Sequence, residues 1–226
     1  MAYSVVNDVL LLETLSCAEI DDMLVLQCAP VLRRNLLERG LLDLDAMDSD
    51  VFHRLFRFRK MDLPDLLSSL LIPEEFVSAQ RVRVPGNEAL CMTLRRLSYP
   101  NRLCELELLF NRHSSVISSV VSTVLAHMEY HFNHLLADLT KHRWLNLIAL
   151  ENFSEAVEWG FGKVASEFAF VDFHKNQKMS RQRIGRMYRM ATLLANCHTC
   201  LYGSLVCDYF GVDPPSLDEY LMPFST

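Results

Sequence analysis

From Ser114 onward the chain carries apolar side chains at Val116, Ile117, Val120, Val121, Val124, Leu125, Met128, Phe132, Leu135, Leu136 and Leu139. Spacings of three and four sustained over that length fit one face of a helix, because a strand would alternate in twos. A helix this long with a continuous apolar stripe must lie against other helices, so the stretch commits the chain to a bundle. Apolar residues make up 50% of the 226, enough nonpolar surface for such a core.

The rest of the chain reads the same way. Val5 to Leu15, Ile20 to Leu26 and Val31 to Leu42 form an acidic helical leader, 1–50, that leaves through Asp43, Asp45, Asp48 and Asp50. Val51 to Leu71 reads as two helices, the second capped by Asp62 with Pro64 in its first turn, where no amide donor is needed. A short extended piece from Arg81 ends at a Pro85-Gly86 turn. A helix capped by Asn87 then turns Leu90, Thr93, Leu94 and Leu97 inward, until Tyr99-Pro100-Asn101 breaks it. Ser154 to Phe173 repeats Ala156, Val157, Phe161, Val164 and Ala165 at helical spacing and places Glu158 at the edge of an apolar face. Met187 to Val206 is almost wholly apolar, yet Arg189, Asn196 and His198 interrupt it, so no window reaches the length of uncharged residues a membrane span needs. The fold class expected is all-α, with a 51–150 helical domain and a 151–226 helical segment after the leader.

The net charge of −6, from 22 Lys+Arg and 28 Asp+Glu, sets up no global field for nucleic acid. The charge is local instead. The leader is acid-rich, whereas Phe173 to Met190 carries Lys175, Lys178, Arg181, Arg183, Arg186 and Arg189 and no acid. Seven cysteines, an odd number set mostly in apolar helical patterns, read as thiols of a reducing compartment, nuclear or cytoplasmic. His127, His131 and His134 lack the Glu that a zinc-protease helix places directly after its first His, since Met128 stands there, and read as solvated. Cys197-x-x-Cys200 with His198 and Cys207 has no second ligand pair at zinc spacing and reads as buried helix, so no metal site is expected.

Arg102 to Phe110, the linker Asn111-Arg112-His113 and the helix from Ser114 have the spacing of a helix-turn-helix, with Asn111 as a residue type that tolerates the positive φ of a tight turn. Such a motif sets small polar residues at the start of its last helix against base edges, here Ser114, Ser115 and Ser118, with Arg102 and Arg112 placed for phosphates. The same pattern also fits a helical core with hydroxyl caps.

Several motifs are similar to those of the PIF/Harbinger-type transposases and their domesticated relatives, DDE endonucleases with a ribonuclease H-like core. Phe56-Arg57-Phe58-Arg59-Lys60, Tyr99 to Cys104, Leu106 to Ser118, Val157-Glu158-Trp159-x-Phe161-Gly162, Asn176-Gln177-Lys178 and Pro214-Pro215-Ser216-Leu217-x-Glu219-Tyr220-Leu221 carry the resemblance. The chain departs from the pattern at His113, where relatives usually have a capping Ser, and at Ser119, where they often have Arg. The resemblance implies that Glu158 is the third catalytic acid and that the intact family uses a divalent cation, magnesium or manganese. It also implies a central section with two catalytic Asp, and this chain passes from Trp144 into the Glu158 helix without either motif. Asp172 follows Glu158 and lacks the Gly that accompanies the first family acid. Two-metal phosphoryl chemistry needs two cations held about 4 Å apart by several carboxylates, which one Glu cannot provide.

The chain is therefore expected to be the helical remnant of a ribonuclease H-like nuclease whose sheet is largely missing. It is expected to be catalytically inactive and without a cofactor, with DNA as a partner, or a protein partner or self-association through the 187–206 helix, and no membrane. Active metal-dependent cleavage is the alternative. If the acidic leader masks the basic stretch, deleting residues 1–48 raises nonspecific duplex affinity in a filter-binding titration, and unchanged affinity refutes the masking.

Overall fold

The computed structural model describes residues 42–99, 102–137, 162–171, 184–211 and 213–222. The leader up to residue 41, the stretch 138–161 with Glu158, and 172–183 with Asp172 and Lys175 to Arg183 lie outside the described residues. The described part is mainly helical, with one two-stranded sheet.

Asp43 opens it with a local turn, its carboxylate accepting the amides of Asp45 and Ala46. Asp48 then caps α1, Ser49–Phe56, by accepting the amides of Asp50 (2.9 Å) and Val51 (3.1 Å). Phe52 and Phe56, one turn apart, are fully buried with ring centroids 4.7 Å apart. Arg57 ends the helix in the left-handed region at φ 70, a conformation that costs an L-residue about 1–2 kcal/mol. A 3-10 turn at Lys60–Asp62 leads into α2, Leu63–Ser69, with Pro64 in its first turn as expected.

Asp62, expected to cap α2, makes no side-chain cap bond. Its carboxylate accepts the Tyr202 hydroxyl at 2.6 Å instead. The preceding 3-10 turn holds Asp62 in a helical conformation, φ −88 and ψ −4, whereas a capping side chain needs an extended backbone to fold back on the helix.

β1, Glu75–Val77, pairs antiparallel with β2, Arg83–Pro85, in the register Phe76 to Val84. Those two residues point to the core, and their neighbours on each strand face outward. This hairpin is a small addition to a mainly helical fold, consistent with the all-α class expected. The extended piece from Arg81 anticipated its second strand, and the first was missed.

α3, Gly86–Ser98, starts one residue before the expected Asn87 cap, and the Asn87 carboxamide only accepts the adjacent Glu88 amide. Leu90, Thr93, Leu94 and Leu97 are fully buried as expected, and so are Ala89, Cys91, Met92 and Ser98. Burial on every face makes α3 the central rod. It packs against α1, α2, both strands, the two helices that follow and the 3-10 turn Ala169–Val171.

α4, Leu103–Phe110, and α5, Ser114–Ala137, come next. The α5 stripe is buried from Val116 through Leu135. Segment 162–167 is helical, and Val164 and Phe168 reach the core. α6, Ile184–Tyr202, lays Met187, Met190, Ala191, Leu194 and Cys197 inward and packs along α5. This apolar helix is thus docked on the bundle. α6 ends at Gly203, φ +73, and the capped turns α7, Leu205–Phe210, and α8, Leu217–Leu221, close the structure. α8 is fastened by Ser69 Oγ donating to Asp218 (2.8 Å) and by Asn196 Nδ2 donating to the Tyr220 hydroxyl (2.8 Å).

Gly86 allows the hairpin to seat on α3. Its amide donates to the Glu74 carbonyl at 2.7 Å, and a Cβ there would lie 2.1 Å from the Pro73 carbonyl oxygen. That obstacle is backbone and cannot swing away. Gly86→Ala is expected to cost about 2–3 kcal/mol, read as a lower urea midpoint at unchanged slope. An unshifted midpoint would refute the close packing.

Candidate nucleic-acid interface

The α4-turn-α5 unit is built around Asn111, which adopts the left-handed conformation expected of it, φ 50 and ψ 39, and turns the chain from α4 into α5. His113 performs the capping role: its Nδ1 accepts the Ser115 amide at 3.2 Å and lies 2.8 Å from the Ser115 hydroxyl. Glu107, buried beneath the turn, accepts the Ser114 amide. A carboxylate at a helix N-terminus meets the positive end of the macrodipole, so this placement favours α5 directly.

The five residues expected at a DNA surface separate into two groups. Ser115, Ser118 and Arg102 are exposed, and Ser114 is half-buried over Glu107. Arg112, by contrast, is turned inward. Its Nε and Nη2 donate to the two Glu88 carboxylate oxygens at 2.7 and 2.8 Å, with both side chains more than nine-tenths buried. Arg112 thus has a structural engagement in a buried bidentate pair rather than the open surface position expected for a phosphate contact. Glu158 lies outside the described residues.

Along α5 the exposed face continues as Ser122 and Thr123, and here it faces a groove of about 610 Å³. α3 contributes Arg96, α4 contributes Leu103, and α6 contributes Arg186 and Met187. Arg96 stacks its guanidinium 4.1 Å from the Phe170 ring centroid, and burial lowers its pKa to about 10, which leaves it charged at neutral pH. Arg186 and Arg189 both bind Glu129, whose pKa is held down first by the Arg189 hydrogen bond. Two arginines share one carboxylate, so the start of α6 keeps a net positive charge. That pairing differs from the masking expected between the basic stretch and the acidic leader, which lies outside the described residues. Arg96 was missed in the sequence, where it looked like one more polar residue of an amphipathic helix. Ser119 lies on this face too and accepts the Ala79 amide at 2.8 Å.

A second cavity, about 510 Å³, opens beside the end of α6. Its polar groups are mostly engaged with each other. Lys163 Nζ donates to Thr199 Oγ1 (2.8 Å) and to the Gly203 carbonyl (3.2 Å), which satisfies the C-terminus of α6. Burial, ahead of its neighbours, lowers the Lys163 and His198 pKa values, and His198 Nε2 stands 4.0 Å from Glu167. The Tyr202 hydroxyl donates to Asp62 and accepts the Arg59 amide at 2.9 Å.

The three histidines of α5 are half-buried rather than fully exposed. Nε2 of His127 and of His134 is buried without a partner among the described residues, and the His127 ring packs against Phe76 and His131. Burial lowers the His127 pKa, followed by the nearby His131. Among the described residues no three His, Cys, Asp or Glu side chains converge on one point. The described cysteines are free thiols, and burial pushes the Cys200 thiol up to about 11. No helix among the described residues is long and apolar enough to cross a membrane.

The chain matches no protein-family model, no curated protein and no solved structure. Its own side chains must carry the functional reading.

Removing one partner of a buried ion pair strands the other charge, so Arg112→Ala is expected to cost about 3–5 kcal/mol, and Glu88→Met with Arg112→Met to recover most of the loss. Arg102→Ala, at an exposed site, should stay within about 0.5 kcal/mol. Equal urea midpoints for the two single variants would place Arg112 at the surface after all.

Proposed function

We propose that this chain is a transposase-derived protein of the PIF/Harbinger type that binds DNA through its helix-turn-helix and no longer cleaves it. The observation that carries the reading is the orientation of α5. Val116, Ile117 and Val120 are buried on the bundle while Ser115 and Ser118 face solvent, so small hydroxyl side chains sit at the N-terminal end of the helix, where a recognition helix meets base edges. Arg102, exposed one residue before α4, is placed for the phosphate backbone that the preceding helix crosses.

On this reading the 151–226 segment is what remains of a ribonuclease H-like nuclease domain, with α6 packed on the bundle in place of the lost sheet. Glu158 would be its one surviving family acid. Loss of both Asp-bearing segments removes the carboxylates that would hold two magnesium or manganese ions, and with them the means to activate water and neutralise a leaving oxygen. Binding without cleavage follows, in the nucleus if the DNA is chromosomal.

The test is fluorescence anisotropy of a labelled duplex at two salt concentrations, with magnesium present and the duplex checked for nicks afterwards. The expected result is binding that weakens with salt, a salt slope about one unit shallower in Arg102→Ala, and intact DNA. Nicking that disappears in Glu158→Ala would establish an active nuclease and overturn the loss of cleavage. Absence of salt-sensitive binding would reduce the helix-turn-helix to core packing.

A further inference from the structure

We propose that Arg57, Arg95 and Tyr99, at the C-terminal ends of α1 and α3, form a phosphate site, and that the phosphate it takes belongs to a DNA strand. The strand rests on the DNA-binding reading above. The anion site stands on the cluster alone.

Both cations of the cluster are available. Arg57 and Arg95 bring their guanidinium carbons to 5.8 and 5.1 Å from the centroid of one ring, that of Tyr99. Neither guanidinium makes a hydrogen bond or an ion pair with any described residue, and both side chains are half-buried rather than enclosed. The contrast is with Arg112, held by Glu88, and with Arg186 and Arg189, which share Glu129. Glu105, exposed in the first turn of α4, acts on the Arg95 charge but forms no ion pair with it.

Three features of the cluster oppose folding when no ligand is bound. Nε of Arg57 is buried without a partner among the described residues. Such a donor has lost water and gained nothing, and an ion that completes it is one reason native structures keep one. Arg57 also holds the left-handed backbone that ends α1, φ 70, at a position where Gly or Asn is usual. A long side chain kept in a strained conformation points to a use for that side chain. Finally, two like charges converge on one ring. Burial lowers the Arg95 pKa, Tyr99 and Glu105 oppose that shift, and the Arg57 charge adds to it. Attraction to the ring face offsets part of the repulsion, and an anion seated against both guanidiniums reverses it.

Guanidiniums present paired N–H donors that match phosphate oxygens, so two of them beside an exposed ring suit a phosphate that arrives from solvent. Position ties that phosphate to the strand. Tyr99 stands three residues before Arg102, the exposed arginine at the start of the helix that crosses the DNA backbone. Three residues span at most about 10 Å, whereas phosphates of one strand recur about every 3.4 Å of helix axis. A strand that meets Arg102 therefore brings a neighbouring phosphate to the Tyr99 cluster.

The test uses the full chain with two probes, a labelled duplex followed by anisotropy and inorganic tripolyphosphate followed by calorimetry. Arg57→Gly deletes one guanidinium and at the same time relieves the left-handed backbone, so its urea midpoint should not fall. Arg95→Gln removes the other charge. Arg81→Gly makes the same exchange at another exposed left-handed position, φ 62, in the hairpin. The expected result is that Arg57→Gly and Arg95→Gln each weaken duplex binding about tenfold, with a salt slope about one unit shallower. Both should also weaken tripolyphosphate binding, which Arg81→Gly leaves unchanged. Equal loss of tripolyphosphate binding in Arg81→Gly reduces the effect to net charge and overturns the cluster. Duplex binding unchanged in both cluster variants overturns the site and leaves the DNA-binding reading standing. Tripolyphosphate binding that Arg57→Gly removes, without duplex binding by the unaltered chain, upholds the anion site and overturns both the strand and the DNA-binding reading. Failure of both probes to bind the unaltered chain overturns the site and that reading together.

Discussion

Helix α3 is buried on every face, and this demand for partners on all sides organises the described part of the molecule. A rod that hides Ala89, Leu90, Cys91, Met92, Leu94 and Leu97 must be covered around its circumference, and the cover comes from both directions in sequence. α1, α2 and the hairpin arrive from before it, α4 and α5 from after it, and the Phe168 to Val171 turn from far downstream. A fully buried large apolar side chain contributes about 1.5–3 kcal/mol, so the rod and its neighbours stabilise each other. Its polar residues must then find partners as well. Thr93 and Ser98 return their hydroxyls to carbonyls one turn back, Glu88 takes Arg112, and Arg96 stacks on Phe170.

Two of those polar solutions bear on α5 and the groove beside it. The Glu88–Arg112 pair anchors the turn between α4 and α5 to α3, and so fixes the direction in which α5 leaves the turn. A bidentate buried pair has a narrow geometric optimum and is weak evidence for net stability, so its value here lies in orientation. Arg96 brings charge from the core outward to the groove wall. Both cases follow from one requirement, that a charge inside a helical core be paired or stacked.

Most of the helical plan was legible in the sequence. The α5 stripe, the inward residues of α3, the Tyr99 break and the Asn111 turn all express local rules, periodicity or the φ tolerance of a side chain, and these need no knowledge of the partner. The hairpin was half legible, since three-residue strands are too short for alternation to separate from loop. The Asp62 cap was misread because Tyr202, 140 residues away, competes for the carboxylate. Polarity misled at Arg112 and, in part, at His127 and His134, each of which buries one ring nitrogen. A charged or polar side chain on a helix is usually solvated, and only the tertiary neighbours reveal an exception.

What the sequence determined by itself, then, is most of the helices of the described part and the faces they bury, because both are encoded within a few consecutive turns of chain. It also supplied the resemblance on which the nuclease ancestry is proposed. What only the tertiary structure decided is which polar groups remain available. Arg112 and Arg102 lie ten residues apart with the same chemistry, and one is buried against Glu88 while the other is exposed. Serines that look alike along α5 divide into a cap over Glu107, an acceptor for Ala79 and open groove wall. That division depends on contacts between residues far apart in sequence, where the local pattern carries no information and the desolvation of each charge decides.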